Sequence, residues 1–200
     1  MEKLLTSFVI GLALAFSALP SLALDQQERP QHWGTLVSET HNFYQMSPWV
    51  FRSEQPSAAL VEQLKAHEIS VVINLRSRDK DKEVLSSDEF RRVHIPIHTW
   101  AISRDDLLRV MKAMRDAQVA NEKVLIHCYH GSDRTGASVA MYRIIFEGWS
   151  IEDALREMKK GGYGFHPIWI NIERLFTAEN VDWIRQQLSV RSTAQVKAQP

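Results

Sequence analysis

A chain of 200 residues with 44% apolar and 24% charged side chains can bury one substantial core and is short for two domains. Lysine plus arginine equals aspartate plus glutamate at 24 each, so the net charge is zero. That balance excludes the basic surplus expected of a nucleic-acid-binding chain, while leaving room for a local basic pocket.

Residues 1–23 read as a secretory signal peptide. Lys3 supplies a positive start, Phe8–Phe16 is a short apolar run, Pro20 interrupts it, and Ser21 and Ala23 are small residues at the positions a signal peptidase reads. The alternative is a retained anchor, because Leu4–Leu24 carries no charge. Its serines and proline favour cleavage, and no cysteine lies nearby to carry lipid. The mature chain is expected to start near Leu24, to work in the periplasm or as a secreted protein, and to keep no stable membrane insertion. Cys128 is the single cysteine, so it forms no internal disulfide.

Residues 24–50 read as an N-terminal extension, polar at first, with a strand at His41–Met46. A second short strand follows at Trp49–Arg52, across a Ser47-Pro48 turn. Ser57 caps a helix to about His67, with Leu60, Val61 and Leu64 inward. Val71–Leu75 is an apolar run of strand length, expected for a strand covered on both faces. Asp79–Glu89 is charged and reads as a loop with a helical turn, and Arg92–Ile95 as a further strand. Ser103 and Asp106 make a capping box for a helix to about Val119. Val124–His127 is a second buried strand, Thr135–Glu147 a central helix ended by Gly148, and Ser150 and Asp153 cap the next one. Helical segments are expected near 167–176 and 181–188, with a flexible tail over 191–200. Strands alternating with helices predict one α/β domain over 51–190. Its central sheet is expected to be mostly parallel, with about four to five strands flanked by helices.

The segment His127-Cys128-Tyr129-His130-Gly131-Ser132-Asp133-Arg134-Thr135-Gly136 joins a buried strand to a buried helix, where open α/β sheets bind ligands. A helix start offers free N–H groups and a positive dipole end, which favour an anion and lower a thiol pKa. Arg134 follows Cys128 by six positions, so the intervening backbone can curl around one phosphate. Its planar fork binds two phosphate oxygens at once. Gly131 permits the conformation the curl requires, Thr135 places a hydroxyl beside the sulfur, and His127 can orient the cysteine. Taken singly, Cys128 reads equally as a buried thiol and Arg134 as half of an ion pair. The whole ten-residue pattern reads as a phosphate site.

This pattern resembles the signature of cysteine-dependent protein tyrosine and dual-specificity phosphatases. Phe51–Ser57, Val72–Arg76 and Gly161–Pro167 resemble a bacterial exported branch of the dual-specificity group. The resemblance implies that Cys128 is the nucleophile, that a cysteinyl-phosphate forms, and that no metal or other cofactor takes part. It also implies a phosphorylated protein or a small phosphorylated molecule as partner, with Tyr129, His130, Gly131, Ser132 and Arg134 around the phosphate.

The general acid is open. Family members usually take an aspartate from a loop about thirty residues upstream, and here Ile95–Arg104 carries no carboxylate. Asp133 and Asp105 lead, with Asp106 as a helix cap, and His98 and His166 behind them. Arg76 is a candidate for a second phosphate contact, Trp100 for the pocket wall, and Asn171 for positioning water. Two other functions compete with phosphoprotein hydrolysis: an inositol phosphate or phosphoinositide phosphatase, and a phosphate-binding module without turnover. Thiol chemistry of the rhodanese or arsenate-reductase kind fits the Cys-to-Arg loop less well.

Overall fold

The computed structural model describes residues 29–196, with side-chain environments through residue 189. The signal segment, the Leu24 start and residues 197–200 lie outside the described residues.

Six strands form one sheet: β1 Thr35–Ser38, β2 Phe43–Gln45, β3 Val50–Ser53, β4 Ile69–Asn74, β5 Arg91–His94 and β6 Lys123–His127, ordered β1-β2-β3-β6-β4-β5. The first three are antiparallel, and β3, β6, β4 and β5 run parallel. The sheet therefore gains one strand over the sequence reading, because Thr35–Ser38 lacks an apolar run yet pairs along Phe43–Gln45 at the edge.

Alternation along the parallel strands feeds two cores. Val50, Val71, Ile73, Val124 and Ile126 face one side, while Phe51, Val72 and Leu125 face the other. On the second side α1 (Ala58–Ala66) covers the sheet with Leu60, Val61 and Leu64, and the Ser57 hydroxyl accepts from Leu60 N. The larger core holds α2 (Arg104–Val119), α3 (Asp133–Phe146), α4 (Ile151–Lys160), the short α5 (Ile170–Glu173) and α6 (Ala178–Val196). The Ser103–Asp106 capping box expected at the start of α2 is present in both directions. Helix α3 begins at Asp133, before the expected Thr135, and α6 continues past Leu188.

Register places the site. Ser53, Asn74 and His127 pair side by side, so three neighbouring parallel strands end at one level. The residues that follow them, Glu54-Gln55, Leu75-Arg76 and Cys128, are brought together at the carboxyl edge.

Candidate active site

Cys128 follows the last residue of β6 and is buried at 3% exposure. The chain then turns through Tyr129–Ser132 and enters α3 with Arg134 as its second residue. Gly131 makes the turn at φ 72°, a left-handed conformation. A Cβ there would also run into the Ser53 carbonyl. The loop thus lies against the end of β3 so closely that only glycine fits.

Arg134 Nη1 donates to the carbonyls of Leu75 (3.2 Å) and Ile97 (3.1 Å). One end of the fork is thereby held by the strand-end loops after β4 and β5. Its Nε and Nη2 make no hydrogen bond among the described residues, which leaves the other edge for an anion. Thr135 is fully buried and its hydroxyl has no partner among the described residues.

Behind Cys128 lies His127, buried like its partner Asp81. Its Nδ1 sits 3.0 Å from the Cys128 carbonyl oxygen and its Nε2 2.9 Å from Asp81 Oδ2. The His127 ring is thus held between two oxygen acceptors, the Cys128 carbonyl and the Asp81 carboxylate. Burial alone would raise the Asp81 carboxyl; the hydrogen bond and charge of His127, aided by Gln55, outweigh it and hold the pKa below the usual value. Gln55 Nε2 donates to Asp81 Oδ1 at 2.8 Å, and Arg76 Nη1 donates to Gln55 Oε1 at 2.7 Å. The Arg76 guanidinium carbon stands 4.9 Å from the centre of the exposed Tyr129 ring. Arg76 and Tyr129 thus form one rim of the site, connected through Gln55 and Asp81 to His127.

The opposite rim is the segment Ile97–Ile102, held by Arg134 at Ile97 and by Asn171, whose Nδ2 donates to Thr99 O at 2.8 Å. Asn171 is therefore an anchor of this segment. Trp100 is 68% exposed on it, with its ring centre 4.6 Å from that of His98.

The proton-donor candidates separate. Asp106 is committed to the capping box and to Arg109. Asp133 accepts from His166 N at 2.9 Å and lies 3.0 Å from His166 Nδ1, so it clasps the 161–167 loop onto the start of α3. Asp105 is exposed in the first turn of α2 and has no partner among the described residues. His130 is exposed, its carbonyl accepting from Asn42 Nδ2 at 2.8 Å, and Ser132 is buried at 4% exposure.

Three residues of this site escaped the sequence reading. Arg52, a charged residue directly after the apolar pair Val50-Phe51 in a strand, carried a visible signal. Gln55 lies in the Phe51–Ser57 stretch that carries the resemblance but had no role assigned, and Asp81 lies in a charged stretch where nothing in the sequence singles it out.

Comparison with known proteins agrees with this geometry. Residues 50–180 match the family "Dual specificity phosphatase, catalytic domain". The dual specificity protein phosphatase TpbA of Pseudomonas aeruginosa is 35% identical over 162 residues, covering 81% of this chain and 73% of TpbA. A crystal structure of cysteine-to-serine TpbA in complex with phosphotyrosine superposes with TM-score 0.73 at 30% identity, covering 80% of this chain and 98% of that one. The inositol diphosphatase DSP3 of Arabidopsis thaliana is 26% identical over 143 residues, covering 66% of this chain and 68% of DSP3. The chain, with a Cys-to-Arg phosphate loop at the carboxyl edge of its sheet, belongs to the dual specificity phosphatase family of hydrolases.

Proposed function

We propose that the protein is an exported phosphotyrosine phosphatase working through a cysteinyl-phosphate. The observation that carries this reading is the seating of Arg134: one edge of its guanidinium is fixed by Leu75 and Ile97, and the other is left for phosphate beside Cys128. The Cys128 thiolate attacks phosphorus, the bond from phosphorus to the leaving oxygen breaks, and that oxygen takes up a proton as the alcohol or phenol departs. Water then attacks the phosphorus, the sulfur–phosphorus bond breaks, and inorganic phosphate leaves with the thiolate restored. Arg134 and the loop N–H groups bind the charge that spreads over the transferring oxygens.

In this reading the leaving-group proton comes from the Ile97–Asp105 segment. Arg134 draws that segment over the site, whereas Asp133 is occupied by His166. His98 and Asp105 are the two side chains of that segment with acid–base chemistry suited to the role. The aromatic and apolar rim of Tyr129 and Trp100 suits an aryl phosphate on a protein, and TpbA supports the same substrate. The reading of residues 1–23 as a secretory signal supports a site of action outside the cytoplasm.

A phosphotyrosine peptide tested against inositol hexakisphosphate separates the two substrate classes. Release of phosphate from the peptide alone fits this reading; preference for the inositol compound would give the inositol phosphate alternative instead. Recovery of the full chain from the periplasm or medium, shortened by its first two dozen residues, tests export; a full-length cytoplasmic product would refute it.

A further inference from the structure

Arg52 is fully buried, with 0% of its surface exposed, and sits on β3 opposite Ile126 of β6. Alternation puts its side chain on the same face of the sheet as Val50, Ile126 and Cys128. Its Nη2 donates to the carbonyl of Gly131 at 2.6 Å, so the guanidinium lies under the phosphate-binding loop. Its Nε and Nη1 have no hydrogen-bond partner among the described residues. The Tyr163 ring lies flat beneath, 3.8 Å from the guanidinium carbon.

A buried cation needs an anion, and the neighbours of Arg52 do not supply one of its own. Tyr163 is kept neutral, since burial and Glu157 raise its phenol well above the usual value. Glu157 already accepts from Arg143 Nε at 2.8 Å and Nη2 at 2.9 Å, as well as from Tyr163 and from Gly34 N. Arg52 itself hydrogen-bonds no carboxylate. Burial lowers its pKa, and Tyr163, Glu157 and, after them, Cys128 offset part of that effect. Arginine starts so high that it stays protonated at any working pH.

We propose that Arg52 is a positioning residue for Cys128: a guanidinium buried under the phosphate loop, matched in charge when the thiolate or a bound phosphate lies above it. It touches no substrate atom and acts through the nucleophile and through the Gly131 carbonyl. An unmatched buried charge destabilises the free protein. Binding of an anion in the loop removes that penalty, so Arg52 links anion affinity to the stability of the fold. The inference rests on Cys128 being the nucleophile, but its test reads the thiolate directly and does not depend on substrate choice.

The experiment compares wild type with Arg52→Gln, which keeps hydrogen-bonding groups without charge, and Arg52→Lys, which keeps charge without the fork. The rate of Cys128 alkylation by iodoacetamide is followed against pH, and the melting temperature is recorded with and without inorganic phosphate. Arg52→Gln is expected to move the alkylation midpoint up by about one to three pH units. It is also expected to shrink the rise in melting temperature caused by phosphate without lowering the phosphate-free value. Arg52→Lys is expected to alkylate near the wild-type midpoint. A purely structural strut predicts the opposite pattern, with both variants melting lower and alkylating at the wild-type midpoint, and that result would overturn the proposal. Equal upward shifts in the two variants would overturn it too, because charge would then not be the cause.

Discussion

Asp81 and His127 stand 2.9 Å apart with side chains 1% and 0% exposed, one residue behind the nucleophile. Removing water from both groups is costly, and the pair persists because each remaining polar atom is also satisfied, Asp81 Oδ1 by Gln55 and His127 Nδ1 by the Cys128 carbonyl. The pair fixes the His127 ring next to the peptide that carries Cys128.

Asp81→Asn keeps the shape and removes the charge. It should cost about 1–3 kcal/mol at neutral pH, measured by urea unfolding. Because the folded Asp81 carboxyl titrates below its unfolded value, its contribution is complete above the ordinary carboxylate pKa of about 4 and is lost as pH falls through the folded value. Wild type and variant should therefore converge in stability toward acid and differ most above about pH 5. A constant difference across that range would contradict the pairing.

Much of the site's frame was legible because local chemistry writes it into the chain. The apolar runs Val71–Leu75 and Val124–His127, the Ser57 and Ser103 caps, and the Cys128–Gly136 loop all depend on neighbours in sequence. What was not legible depends on register. Ser53, Asn74 and His127 align across three strands, and that alignment brings Asp81 to His127 and Arg52 under Gly131. Asp133 illustrates the same limit. Beside Arg134 in sequence it looks poised as an acid, yet a loop 33 residues away claims its carboxylate. Thr35–Ser38 joined the sheet for a related reason: an edge strand takes its pairing from a neighbour and needs no apolar run of its own.

Gly131→Ala tests the turn. A left-handed backbone and a collision with the Ser53 carbonyl act together, so the loop must open. The expected loss is about 1–3 kcal/mol of stability. The expected fall in kcat/KM is at least a hundredfold, about 2.7 kcal/mol of transition-state binding. Wild-type turnover in this variant would show that the loop adopts another path around phosphate.

The proton donor is read from pH–rate profiles. Asp105→Asn or His98→Asn should remove the decline in kcat on the side of the profile set by the protonated acid, with a loss of about 10²–10⁴-fold for the residue that donates. Asp133→Asn should lower stability through the 161–167 loop and leave the shape of the profile intact. If Asp133→Asn alone reshapes it, the proton comes from within the phosphate loop.

The central claim, a thiolate nucleophile in a Cys-to-Arg loop, is tested most directly by hydrolysis of para-nitrophenyl phosphate by residues 24–200 and by the same chain carrying Cys128→Ser, each with and without chelator. Chelator-resistant turnover that disappears in the variant, while inorganic phosphate still raises its melting temperature, is the predicted result. Appreciable turnover by Cys128→Ser would contradict the account.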